Sequence, residues 1–391
     1  MIDMKRFLFI LTFVALCAAT ANAQKPIPHA VRITNKTATK RTEIVLPQVR
    51  GYNCYKGDFH THTFYSDGCV SPSGRVIEAW MDGLDILAIT DHYEYRPGVK
   101  KVVAAIAAQD STIIDSSKDV VVDLDVTHNE AVSRLEKAGY PMLLVKGGEI
   151  SRNAQEVGHF NALFLTDISS VYDKDPIEAF RKAKAQGGII VHNHPAWRRD
   201  TSDKNEFHEK VYAEGLIAGV EVINGKTLYP HIVRRCIDEN LTMFGNTDEH
   251  SMTSASYGAS GYFRTMTFVF AEELTEASVK EAILQHRTIA YSCGTLVGEY
   301  SWLKDFLNAA VECRLTQVND DKRIFSLRNN CSIKFLLRRG GTTIELQPFE
   351  STMVSFGRDK ATGEFAVPTY YVDNMWHIDY QRPKIALEID E

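Results

Sequence analysis

Between residues 57 and 292 of a 391-residue chain, short apolar runs alternate with amphipathic stretches of helical spacing, the pattern left by βα units wound around a parallel sheet. The strand candidates are 85–90 (DILAIT), 142–146 (MLLVK), 160–165 (FNALFL), 188–191 (GIIV), 220–223 (VEVI) and 241–244 (LTMF). Helix signals fall between most of them. Ser71-Pro72 opens a helix through 76–81 that stops at Gly83, and Asp175-Pro176 opens one over 177–186 that stops at Gly187, each with a capping side chain followed by a first-turn proline. A last helix is expected over 277–287, before an apolar run at 289–292. From about 312 onward the pattern changes: 324–328, 332–337, 342–346 and 352–356 alternate apolar and polar residues around Asn329-Asn330 and Gly340-Gly341, which predicts a small antiparallel β domain. Single cores stop growing beyond roughly 250–300 residues, so the length fits two domains, or one barrel with an appended module.

The amino terminus stands apart from that pattern. Lys5 and Arg6 precede an apolar run from Phe7 to Cys17, and Ala21-Asn22-Ala23 comes before Gln24, an order that predicts a secretory signal peptide over 1–23 and a polar leader over 24–55. The apolar run is shorter than the ~20 residues that a membrane helix needs, so export to the periplasm or the extracellular space is expected, without a transmembrane anchor. The formal charge of −6 gives no polybasic field for a nucleic-acid backbone. Of the cysteines beyond Cys17, none forms a C-x-x-C pair; Cys313 with Cys331 is the nearest plausible disulfide, and free buried thiols are the equal alternative.

Unusual residues gather at the predicted strand ends. Asp58-Phe59-His60-Thr61-His62 closes the first strand, and alternation puts His60 and His62 on one side. The same spacing recurs at Asp248-Glu249-His250, while His92 ends DILAIT, Glu149 follows MLLVK, His159 precedes FNALFL, and His192-Asn193-His194-Pro195 ends GIIV. In βα barrels the strand ends converge on the site. A cluster of His60, His62, Asp67, His92, Glu149, His159, His194, Asp248 and His250 is costly to bury unless metal ions supply compensating charge. Imidazole mixed with carboxylate suits zinc, manganese or iron better than magnesium or calcium.

In order and context, His60-Thr61-His62-Thr63 with Ser66-Asp67-Gly68, then Thr90-Asp91-His92, Gly148-Glu149, Val191 to Pro195 and Asp248-x-His250 resemble the PHP (polymerase and histidinol phosphatase) family. The resemblance covers roughly 57–292. It implies a distorted (β/α)7 TIM-like barrel, here over 56–300, and hydrolysis of phosphate esters with two or three divalent metals; the alternating C-terminal segments are expected to form a separate β-sandwich-like domain over 310–391. It further implies one metal on His60, His62, Glu149 and Asp248, a second on Glu149, His159 and His194, and a third on Asp67, His92 and His250. His192 faces His194's side by alternation and is the candidate catalytic proton donor, with a plain strand-end histidine as the alternative. Arg152, Arg198, Arg199 and Lys226, just after strand ends, are candidates to grip substrate phosphate. Tyr93, Tyr95 and Trp197 could wall an organic substituent, or anchor loops.

Two metals about 3.5–4 Å apart lower the pKa of a bridging water and hold a phosphoryl oxygen, so the expected activity is an exported multinuclear-metal hydrolase of small phosphate esters, with phosphodiesters favoured. A phosphomonoesterase of the histidinol-phosphatase type, an amidohydrolase-type hydrolase and a non-enzymatic envelope-binding protein are the alternatives.

Overall fold

The computed structural model describes residues 40–97, 123–359 and 362–390. The stretch read as a signal peptide, 1–23, and residues 24–39 of the leader lie outside the described residues. The rest of the leader is not simply polar: Ile44 and Val49 are buried in the main core, and Arg41 ion-pairs with Asp85 at 2.7 Å.

The strands of the first region are β1 (Asn53–Asp58), β2 (Ile86–Ile89), β3 (Leu143–Ser151), β4 (His159–Leu163), β5 (Ile189–His192), β6 (Ile217–Asn224), β7 (Thr227–Leu228), β8 (Thr242–Asn246), β9 (Met266–Ala271), β10 (Thr288–Ser292) and β11 (Thr295–Val297). Its helices are α1 (Pro72–Met81), α2 (Asp125–Ala138), α3 (Pro176–Ala185), α4 (Glu206–Ala213), α5 (Pro230–Asp238), α6 (Thr253–Tyr257) and α7 (Glu276–Leu284). All six strand candidates fall on strands, and the two capped helices start where their proline signals predict: Ser71 accepts from Gly74 N ahead of α1, and Asp175 from Ile177 N ahead of α3.

The sheet runs β11-β10-β9-β1-β2-β3-β4-β5-β6-β7, with β8 paired to β6, and forms a distorted TIM-like barrel. It is not uniformly parallel as the βα pattern predicts. β4 is antiparallel to β3 and β5, and β9 is antiparallel to β1 and β10. β9 (MTFVFA) is absent from the predicted strands because all of its residues are buried, which removes the apolar–polar alternation that marks a half-exposed strand. Beyond the strand ends, the chain closes between β1 and β8: Asp248 N donates to His60 O at 2.9 Å and His62 N donates to Glu249 O at 3.1 Å.

After β11 comes α8 (Tyr300–Ala310), also unanticipated, then β12 (Val311–Val318), β13 (Lys322–Asn329), β14 (Phe335–Arg339), β15 (Thr342–Leu346), β16 (Ser351–Gly357), β17 (Thr369–Val372), β18 (Met375–Trp376) and β19 (Lys384–Ala386). They build a three-stranded sheet, β12-β13-β16, and a four-stranded one, β15-β14-β17-β19. β18 instead pairs in parallel with β11, extending the barrel sheet. α8 joins the two regions: its buried Trp302 and Phe306 share one apolar cluster with Phe268 and Phe270 of β9 and with Phe335 and Val372 of the C-terminal strands, and the Trp302 ring stacks on Phe270 at 4.9 Å. Of the two alternatives for Cys313 and Cys331, a disulfide or free thiols, the second holds: both are buried free thiols in this same cluster.

Truncating a buried Phe to Ala costs about 3–5 kcal/mol. Phe306→Ala is therefore expected to lower the melting temperature of the whole molecule in one cooperative transition, followed by near-UV circular dichroism. Two separated transitions would show that the barrel and the C-terminal sheets do not depend on a common core.

Candidate metal centre

The turn after β1 is held by a carboxylate before any cation is considered. Asp91 accepts from Thr63 N, Thr63 Oγ1 and Ser66 Oγ, each at 2.6 Å. Arg75 of α1, almost fully buried, donates from Nε to His62 O and from Nη2 to Glu249 O, both at 2.8 Å. Two chain segments that carry His60, His62, Asp248 and His250 are thereby clamped to one helix. Beneath them Asp58 accepts from His60 N and Thr247 N at 3.2 Å and pairs with Arg264 at 2.5 Å.

All nine side chains of the predicted cluster come together. Four ligand sets lie with their donor atoms within 4.8 Å of one another: His60, His62 and Glu149; His60, His194 and Asp248; Glu149, His159 and His194; and His62, Asp67, His92 and His250. His159 is the first residue of β4, and because β4 runs antiparallel to its neighbours its start lies where the parallel strands end. Asp248 and His194 adopt positive φ, 53° and 25°, a conformation that strains residues bearing a Cβ and that persists at sites which over-determine it.

The donor set fits divalent cations. His60 Nε2 and His62 Nε2 face each other at 3.1 Å, and both lie 3.1 Å from Asp248 Oδ1. The buried oxygens Glu149 Oε2 and Asp67 Oδ1 accept no hydrogen bond, although histidine nitrogens surround them. Burial and the charge of His92 hold the His62 pKa down at about 4. Burial also opposes charge on His92, but the nearby Glu149 and Asp67 carboxylates outweigh it and raise its pKa to about 10. Against the cost of burial, the surrounding histidines keep Glu149 and Asp248 well below the ordinary carboxylate range. Ionised acids in contact with imidazoles make a donor set for a divalent ion, whose binding would displace the proton that His92 otherwise carries.

One residue of this arrangement was missed in the sequence. Glu221 is fully buried in β6; it takes the His60 Nδ1 proton at 2.8 Å and accepts from His194 N at 2.8 Å and from Asn246 Nδ2 at 3.0 Å. Asn224 Nδ2 donates both to Glu221, at 2.9 Å, and to Asp248 Oδ2, at 3.3 Å. The bond to Nδ1 leaves His60 Nε2 with its lone pair toward the cluster. The available signal was a lone acid inside the apolar run VEVI. Asn193 is a second missed partner, donating to Glu149 Oε1 at 2.9 Å.

Other candidates fare differently. His192 is not brought to the cluster: its ring stacks on Phe160 at 4.5 Å and its Nδ1 meets Tyr212 Oη at 2.8 Å. Alternation fails there because the chain turns at His194, where φ is positive. Arg152 and Arg198 line the open pocket over the cluster, about 840 Å³ in volume. Arg152 is already committed to Glu94 and to Asp173 O. Arg199 turns back to Pro195 O and Asp203 O, and Lys226 to Ser256 O, so neither lines the pocket. Tyr93 is buried in a core cluster, whereas Tyr95 and Trp197 are exposed on the pocket wall.

Among solved structures, one is similar to this chain over most of its length and others match part of it more distantly. A two-domain protein from Bacteroides vulgatus, containing a predicted PHP-like metal-dependent phosphoesterase, superposes with a TM-score of 0.79 at 33% identity, covering 90% of this chain and 99% of its own. A metal-dependent phosphoesterase from Bifidobacterium adolescentis gives a TM-score of 0.37 at 18% identity over 59% of this chain and 96% of its own. A lesion-specific endonuclease from Pyrococcus furiosus gives 0.38 at 14% identity over 63% and 59%. No protein-family model matches the chain, and no curated protein matches it.

Partners that orient a metal-binding histidine are worth about 10–100-fold in metal affinity. Glu221→Gln is expected to weaken Mn²⁺ binding by that factor in competition with a chromophoric chelator. Unchanged affinity would show that the carboxylate does not set His60.

Proposed function

The chain belongs to the PHP-like metal-dependent phosphoesterases, and on that premise we propose that it is an exported hydrolase whose preferred substrates are small phosphodiesters. The observation that carries the reading is the convergence of nine ligating side chains beneath one pocket of about 840 Å³. That volume far exceeds a phosphate group and leaves room for two organic substituents, with the exposed rings of Tyr95 and Trp197 on its wall. Two or three divalent ions, manganese, zinc or iron, are proposed on the sets described. When bound, such ions offset charge on phosphoryl oxygens and lower the pKa of water to about 7.

The chain's own residues do the positioning. Glu221 keeps the Nδ1 proton of His60 fixed, His250 Nδ1 donates to Asp248 O at 2.8 Å, and Asn193 orients Glu149. His92 Nδ1 lies 2.5 Å from Ser151 Oγ and 2.7 Å from Glu149 Oε2. These contacts hold the ligand atoms before a substrate arrives, which is where electrostatic catalysis gains most. One observation favours a phosphomonoesterase: the set of Asp67, His92 and His250 offers a third cation for a dianionic ester. Export rests on the Lys5-Arg6, Phe7–Cys17 and Ala21-Asn22-Ala23 pattern, and is supported if the secreted product begins at Gln24 by mass spectrometry.

The activity is tested with the Mn²⁺-reconstituted protein on bis(4-nitrophenyl) phosphate and 4-nitrophenyl phosphate. Faster diester cleavage, reduced at least about 10³-fold in His60→Ala as expected for loss of a central group, is the predicted outcome. A monoester preference would make the enzyme a phosphatase. Silence on both with metal bound would sink the phosphoesterase reading and favour an amidohydrolase-type or binding role.

A further inference from the structure

One cation on the wall of the pocket is left over by everything above. The pocket is lined by two arginines, and Arg152 is neutralised by Glu94. Arg198 has no carboxylate partner among the described residues. Its guanidinium instead lies over the Trp197 ring, 4.5 Å from the centroid. That ring is itself braced against the cluster, 4.9 Å from His159 and 5.3 Å from His194.

The segment that presents this pair is tightly built. Trp197 N donates to His194 O at 2.8 Å, Arg199 N donates to Ala196 O at 3.1 Å, and Gln155 Nε2 donates to the Arg198 carbonyl from across the pocket. Arg198 itself sits at φ 55°, a left-handed conformation that an arginine adopts only where its surroundings impose it. The guanidinium is thus held by a cation–π contact and a fixed turn, on an exposed residue that lines the pocket. A planar fork of donors fits a carboxylate or a phosphate with two parallel bonds. In a chain of net charge −6, a pre-placed cation beside a set of acids is a selective device rather than a general attraction.

We propose that Arg198, carried on Trp197, is an anion subsite beside the phosphoester centre, and that the preferred substrate bears a second anionic group, carboxylate or phosphate, on the organic part of the ester. This deepens and rests on the phosphoesterase reading. Arg198 is here a specificity residue: it contacts the substrate away from the reacting bond.

The test uses the full Mn²⁺-loaded chain and three non-hydrolysable phosphonate probes that share one aryl group and differ in a second arm ending in carboxylate, phosphate or carboxamide. Calorimetric binding is expected to favour the charged arms by about tenfold over the carboxamide, as one charge-assisted bidentate contact provides. The better of the two charged arms identifies the natural group. The preference should vanish in Arg198→Gln and be only partly kept in Arg198→Lys, which retains the charge but not the planar fork. Equal binding of all three arms by the wild type, or a preference that survives in Arg198→Gln, would overturn the proposal. Turnover of the matching esters separates the two claims. Charge-selective binding without turnover supports the subsite and sinks the hydrolase, whereas turnover with no charge preference does the reverse.

Discussion

Carboxylates and imidazoles in contact at one end of a barrel repel or titrate one another unless a cation or a fixed proton balances them. Much of the surrounding structure answers that constraint. Glu221 holds the proton of His60, Asp248 O receives that of His250, and Arg75 pins the backbone of both ligand-bearing segments to α1. The positive φ of His194 and Asp248 shows the same priority in the backbone: side-chain direction is kept at the expense of conformational ease. Removing Glu221 would leave His60 without its acceptor, and removing Arg75 would leave two buried carbonyls unpaired; either costs more than the contact itself contributes.

The fold places this end of the barrel on a broad base. The aromatic cluster of β9 and α8 continues into the C-terminal strands without a break, and β18 adds an edge to the barrel sheet. The C-terminal region is therefore part of the support of the barrel wall on the side of β9 to β11. The pocket lies elsewhere, among the loops after β1, β2, β3, β5 and β8, so the two regions divide mechanical support from chemistry.

The ligand cluster was legible in the sequence because strand ends are marked twice, by the end of an apolar run and by a residue that has no business in a core. Most of the ligand candidates have that mark; His159 stands at the start of its strand, and Asp67 lies in the loop after β1. Glu221 and Asn193 carry it less clearly, since a single polar residue within VEVI or between two histidines looks like a local exception. His192 misled because alternation is a property of an extended strand, and the strand ends there. β9 escaped because burial on both faces erases its period, whereas α8 had a readable signal: Trp302, Leu303, Phe306 and Leu307 fall on one helical face. Arg199 and Lys226 differ from Arg198 only in which carbonyls their loops offer, and that is decided by turns that residue type alone does not specify.

The reversal of β4 has one more consequence. A strand that runs against its neighbours needs no helix to return, so the link from Ser151 to His159 is a short hairpin at the mouth of the pocket, carrying Arg152, Asn153 and Gln155 on its wall. Both ends of this link are fixed in paired strands, so an insertion or deletion within it would reshape the pocket entrance while His159 stays anchored in its strand.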